Sequence, residues 1–268
     1  MTGERARRRG RACTILHAMS LDTDPPTPIQ PLVAWRALLA LRRNPQDTRQ
    51  VFILGEAIKG QSPFKLLHRF RRDPMGQERL RERRKLIDTL KRTDWLASLP
   101  VGTLGRTYHD FLAEENLSAQ GLVEVSIASG LNLPDDGSDR HFIGRQLRDM
   151  HDLFHVLSGY GRDELGEVCV LAFSYPHQGT RSFALIATVG ALHLGRRLKV
   201  GGVLGAVWQA WRQGRAASWL LVQPMESLLT QDLAQLRRQL YIARPTRYLA
   251  VLERLSAMGR SVPRPPGA

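Results

Sequence analysis

A chain of 268 residues with 43% hydrophobic and 7% aromatic content carries enough apolar material for a real core. This excludes wholesale disorder and fits one large domain more simply than two small ones. Two cysteines, Cys13 and Cys169, exclude a rich disulfide framework and suit a reducing, intracellular compartment. A formal net charge of +14 calls for an acidic partner, either nucleic acid or an anionic membrane surface.

In chain order, the first 18 residues, MTGERARRRGRACTILHA, are Arg-rich but poor in Ser and without an amphipathic pattern, so a transit peptide is a weak reading. With Met19 directly behind them, residues 1–28 are expected to be a basic arm without structure or the product of a start codon placed too early. Apolar residues recur at three- and four-residue spacing in PLVAWRALLALRR and TRQVFILGEAI, which predicts helices. Between Lys65 and Arg92 stand eleven Lys and Arg against Asp73, Glu78, Glu82 and Asp88. The run GQERLRERRKLIDTLKR inside it is helical in period and poor in the aromatic rings that single-strand nucleic-acid binders use for stacking. A headgroup layer suits this run better, and nucleic acid is not expected. A solvated helix face serves equally well, because only five of the 39 basic residues are Lys and the whole chain is Arg-biased.

Farther along, SFALIATVGALHL (182–194) and VGGVLGAVWQAW (200–211) are markedly apolar. Each falls short of the ~20 residues that cross a bilayer. They read as core helices, or as walls of a lipid groove with room left by their small residues. QDLAQLRRQLYIARP continues the helical period. Helix punctuation falls at Pro25–Pro26, Asn44–Pro45, Asp73–Pro74, Pro100, 131–139, Gly159–Gly161 and Pro245. No convincing strand pattern and no repeat interrupts this. The expected fold is all-α, a helical bundle spanning residues 29–258, with a Pro-rich, unstructured tail at 259–268.

The chemistry concentrates in HDLFHVLSGYGRDELGE, residues 151–167. On a helix, with His151 at zero, His155 falls at about 40° and Asp152 at about 100°, one flank for all three. The Gly159–Tyr160–Gly161 break ends that helix, Asp163 is a ready N-cap for the next, and Glu167 lies one turn inside it. If the two helices pack as an antiparallel hairpin, His155 and Glu167 meet at one level, and His151, Asp152, His155 and Glu167 converge. Two imidazoles and two carboxylates suit a divalent metal, zinc first, with iron or manganese also admissible. Taken singly, each residue has an ordinary explanation: a hydrogen-bonded histidine, or Asp152 paired with Arg148 one turn back. A zinc protease is a poor match, since Asp is shorter than the Glu of HExxH and no edge strand awaits a peptide. A phosphohydrolase would need His109, His141 and Asp232 as distant partners, and nothing around them encourages it.

HDxxH, eleven residues and then Glu resembles the signature of the ubiquinone (coenzyme Q) biosynthesis proteins of the Coq-four family. LPVGTLGRTYHDFL at 99–112 and the block GRAASWLLVQPMESLLTQDLAQLRRQLYIARP extend the likeness across about residues 29–245. The resemblance implies an all-helical, peripheral membrane protein with zinc on His151, Asp152, His155 and Glu167. It implies action on a polyprenylated benzoate, removing the ring carboxyl group with or without replacement by hydroxyl, in company with other ubiquinone biosynthesis proteins. A homo-oligomer is expected. The membrane would be the inner, cytoplasmic one of a bacterium, or else the matrix side of the mitochondrial inner membrane. The 182–211 segments become candidates for holding the prenyl tail, and 65–92 for the membrane face. Arg106 and Tyr108 are candidate substrate contacts, Arg106 for the carboxylate, and Tyr108, His109 and Tyr160 are candidate proton donors with none preferred. The rival reading is a non-enzymatic organiser that presents prenylated lipids to partner enzymes around a structural metal.

Overall fold

The computed structural model describes residues 28–43, 48–114, 137–262 and 265–267. Among these residues the chain is helical, with no strand and one isolated bridge between Thr103 and Asp232. Helices α1 (Pro31–Arg43) and α2 (Thr48–Ile58) form a pair. They are followed by α3 (Ser62–Arg72), α4 (Pro74–Glu82), α5 (Leu86–Leu90), α6 (Thr93–Ser98) and α7 (Leu104–Glu114). The second half holds α8 (Asp139–Asp149), α9 (His151–Ser158), α10 (Glu164–Gln178), α11 (Arg181–Leu198), α12 (Val203–Ala216), a 3-10 turn at Leu220–Val222, α13 (Met225–Leu228), α14 (Leu233–Gln239) and α15 (Thr246–Ala257).

Helix α10 is the axis of the core. Cys169, Val170 and Phe173 on it are fully buried, and α11 and α12 pack against it. The approach of α12 is close enough to require glycine: a Cβ on Gly214 would lie 2.1 Å from the Phe173 carbonyl oxygen. A smaller cluster of Ala34, Ala37, Leu41, Leu54 and Ala57, backed by Leu185 and Ile186, docks the α1–α2 pair onto α11. The two apolar stretches therefore serve as core on their inner faces, through Ala187, Ala191, Val203, Ala206 and Ala210. Their outer faces leave Leu192, Leu204 and Trp208 exposed.

The basic run is helical, as its period predicts, but in separate pieces. It breaks at Arg83, whose φ of 50° is left-handed, and several of the basic side chains here find partners. Arg71 and Arg83 both grip Asp139. Arg69 lies 3.9 Å over the Trp219 ring and donates to the Pro176 carbonyl, and Arg92 covers Trp95. Arg79, only 4% exposed, makes two 2.8 Å hydrogen bonds to Glu226. Breaking such a buried pair by removing one partner leaves an uncompensated charge and costs about 3–5 kcal/mol. Several of these charges thus hold α3 and α4 to the rest of the chain, while Lys65, Arg72, Arg81, Arg84, Lys85 and Lys91 stay exposed.

The tail also departs from expectation where it is described. Pro266 is buried, and the carbonyls of Pro266 and Gly267 accept hydrogen bonds from Arg237. The N-terminal arm, residues 1–27, lies outside the described residues. No helix among the described residues is long and apolar enough to cross a membrane.

Candidate metal centre

Local sequence builds the site as a helix, a turn and a second helix. Met150 joins α8 to α9 in a right-handed helical conformation, so the chain runs almost unbroken into His151. Gly159, at φ 77°, ends α9 with its N–H on the His155 carbonyl. Asp163 then caps α10, its carboxylate accepting from the N–H groups of Leu165 and Gly166. The turn lies tight on the new helix, since a Cβ on Gly166 would sit 2.0 Å from the Gly161 carbonyl oxygen. Tyr248 secures the same turn by donating to Asp163 and accepting from the Gly161 N–H.

This folding back brings His151, His155 and Glu167 together. One ligand-type atom from each lies within 4.8 Å of the others, with His155 Nε2 3.5 Å and His151 Nε2 3.8 Å from Glu167 Oε2. His155 is completely buried, while His151 and Glu167 keep 31% and 33% of their side chains exposed. The centre is thus reachable from one side. His155 Nδ1 lies 3.0 Å from the Tyr160 carbonyl, which accepts only, so the ring proton belongs on Nδ1 and the Nε2 lone pair faces Glu167. His155 Nε2 has no hydrogen-bond partner. Two lone-pair donors facing each other in a buried place call for a cation between them, and an imidazole fixed by a carbonyl on its far nitrogen is the usual arrangement of a metal-ligating histidine. The donor set fits a divalent ion of zinc type.

The electrostatics agree. Burial opposes charge on His155, yet the facing Glu167 carboxylate, helped by Asp152 and the Tyr160 carbonyl, outweighs it and raises the ring's pKa. Burial likewise opposes ionisation of Glu167, and His155, His151 and Arg162 overcome it, lowering its pKa to about 2. His151 is pushed down, by burial first and by His155 second. Asp152 and Glu167 against Arg162 leave one negative charge over, which a protonated His155 or a bound cation would offset.

Asp152 stands apart from the other three. Its buried carboxylate accepts from Arg162 Nη1 at 3.2 Å through Oδ1, and Oδ2 has no partner. The helical angles put it on one flank with His151 and His155, whereas the cluster in the structure holds His151, His155 and Glu167 without it. Arg162 was not singled out by the sequence pattern, and it spans the two carboxylates, with Nε 3.9 Å from Glu167 Oε1. A lone arginine in a metal-type turn was the available signal.

The other candidates have structural engagements. Arg106 is tied to Asp110 and to the Ala97 carbonyl. Tyr108 is 1% exposed, and burial, then Asp152 and Asp149, drive its pKa upward. Tyr160 is fully buried and donates to Gln213. His109 pairs with Asp110, and Asp232 caps α14 by accepting from Gln235. His109, His141 and Asp232 are not part of the three-ligand cluster.

Comparison with known proteins matches residues 29–246 to the family model described as coenzyme Q (ubiquinone) biosynthesis protein Coq4. A mitochondrial ubiquinone biosynthesis protein COQ4 homolog from Danio rerio is 34% identical over 77% of this chain and 74% of its own. The Homo sapiens homolog is 30% identical over 82% and 81%. In three dimensions the chain resembles a crystal structure from Nostoc punctiforme PCC 73102, titled as a ubiquinone biosynthesis protein. Its TM-score is 0.61 at 17% identity, covering 80% of this chain and 99% of that one, a likeness of fold. On these matches the chain belongs to the Coq4 family of coenzyme Q (ubiquinone) biosynthesis proteins.

Proposed function

We propose that this protein removes the ring carboxyl group of a polyprenylated hydroxybenzoate, with or without replacement by hydroxyl, at a membrane surface during ubiquinone biosynthesis. A divalent ion would be held by His151, His155 and Glu167, with Asp152 in reserve beside them. When bound, such an ion supplies Lewis acidity toward a carboxylate or phenolate oxygen. The observation that carries the reading is the unpartnered His155 Nε2 facing Glu167 at 3.5 Å, with Nδ1 fixed by Tyr160. Three protein ligands leave a coordination position open, as chemistry requires, whereas four close a structural site. That favours the enzyme over the lipid-presenting organiser. Exposed Leu192, Leu204 and Trp208 are the side chains we assign to contact with the prenyl tail or the bilayer.

The test is lipid analysis of a deletion strain complemented with wild type or with Glu167→Ala. The expected result is accumulation of the prenylated, still carboxylated precursor in a variant that remains folded and abundant. Normal ubiquinone from that variant would leave the centre without a chemical role and return the protein to the organiser reading.

A further inference from the structure

Arg162 has no assigned role, and its position gives it one. Its guanidinium stands between the two carboxylates of the centre, 3.2 Å from Asp152 Oδ1 and 3.9 Å from Glu167 Oε1. Its side chain is 25% exposed, against 1% for Asp152. Nη1 and Nε face the carboxylates, and Nη2 has no partner among the described residues. A guanidinium presents its donors as a planar fork, so an edge left free beside an open centre is shaped for a second carboxylate.

Charge points the same way. Asp152 and Glu167 together match the two charges of a divalent ion. Arg162, which pairs with Asp152, then leaves the loaded centre with one net positive charge, and His151 and His155 contribute none when they ligate as neutral rings. A loaded centre of this composition is one charge in excess, complementary to a singly charged anion. The arginine that the sequence pattern offered for that task, Arg106, is already committed to Asp110 and a backbone carbonyl.

We infer that Arg162 forms an anion subsite at the mouth of the centre, taking the carboxylate of an aromatic acid through its free edge. This rests on the metal reading above and deepens it: the arginine is a binding and orienting group, the metal ligands lie behind it. A residue with only a structural role toward Asp152 would affect folding and metal retention together. A subsite residue affects anion binding, while its removal takes a positive charge away from the metal and leaves metal affinity equal or tighter.

The experiment uses the full-length chain loaded with Co(II), whose visible spectrum reports the centre. Benzoate is titrated into wild type, Arg162→Gln and Arg162→Lys, with benzamide as the neutral counterpart, and metal affinity is measured in parallel by chelator competition. The expected result is benzoate affinity at least tenfold weaker in Arg162→Gln, partial recovery in Arg162→Lys, a much smaller change for benzamide, and Co(II) affinity equal to or tighter than wild type. Benzoate binding unchanged in an Arg162→Gln protein that holds Co(II) would overturn the subsite and leave the metal centre standing. Should Arg162→Gln not fold, Arg162→Lys decides alone: it keeps the charge but not the fork, and wild-type benzoate affinity in it overturns the proposal. A wild-type protein that takes up no Co(II) would remove the metal reading and this inference together.

Discussion

The two ends of α10 each meet a buried histidine stacked on a phenylalanine, and the two packings are nearly the same. His155 lies on Phe111 with ring centroids 5.7 Å apart and planes at 27°. His177 lies on Phe154 at 5.7 Å and 26°. Both leave Nε2 buried and unpartnered, yet their charge preferences are opposite. Burial opposes the cation at both. At the first end Glu167 outweighs it and the pKa rises. At the second, the charge in view is the Arg69 cation, and the pKa is lowered to about 3. Aromatic packing therefore does not decide what a buried imidazole does. One facing carboxylate does, and it reverses the charge preference.

Acid should expose this difference most strongly. His177 has a folded pKa of about 3 against an ordinary value near 6.5, so between those values the unfolded chain binds the proton that the folded one refuses. Stability is untouched above pH 6.5 and falls as pH drops toward 3, by roughly 4 kcal/mol if the group acts alone. Urea midpoints at pH 7, 6, 5 and 4 should show that slope in wild type and a shallower one in His177→Phe, which keeps the stacking and cannot titrate. Equal slopes would mean that some other group carries the acid sensitivity.

Loading the opposite end should raise stability. A metal that binds only the folded chain at a hundredfold its dissociation constant contributes about 2.7 kcal/mol. Thermal melts with Zn(II) or Co(II) should shift upward in wild type and in His177→Phe, and not in Glu167→Ala. A shift that survives in Glu167→Ala would place the ion elsewhere.

A smaller effect belongs to the metal-free pair. Glu167, lowered to about 2, adds stability above its ordinary pKa near 4.5 and loses it as pH falls through 2. His155, raised above 6.5, adds stability below 6.5 and loses it as pH climbs through its folded value. The two coincide between about pH 4.5 and 6.5, where Glu167→Gln should cost roughly 1–2 kcal/mol after allowance for the exposure of the carboxylate. A cost that stays flat across the whole pH range would argue against an ion pair.

The smallest change in metal binding should come from Gln213. It accepts from the Tyr160 hydroxyl and donates to the carbonyls of Ala243 and Arg244, so it holds the residue whose own carbonyl orients His155. Gln213→Leu should cost about 1–3 kcal/mol for the orphaned hydroxyl. It should also weaken metal binding by a few fold, up to about the tenfold lower bound for outer-shell partners, measured by chelator competition.

The sequence carried the local half of all this. The 3.6-residue period gives the helices, Gly159 and Asp163 mark the turn, and counting one turn from each side pairs His155 with Glu167. These depend on neighbours in the chain. What could not be read is set by contacts far away. The basic run is legible as helical and charged, but not its partners, since Asp139 and Glu226 lie 56 and 147 residues from Arg83 and Arg79. Nothing local to His177 marks it, because Phe154 and Trp219 reach it from other parts of the chain. Asp152 counted as a fourth ligand because it shares a flank, and only the turn's path reveals Arg162 holding it.

The tightness of that turn bears on the order of events in folding. Residues 151–167 include all three residues of the candidate cluster, and closing a loop of about ten residues takes on the order of 10–100 ns. The wall that Phe111 supplies to His155 comes from a part of the chain some forty residues earlier and must arrive later, because distant pairings close slowly. We expect stopped-flow refolding with Co(II) present to develop its visible absorption before tryptophan fluorescence reaches the native value, with the ion acting as an early clasp and the walls of its own site assembling around it.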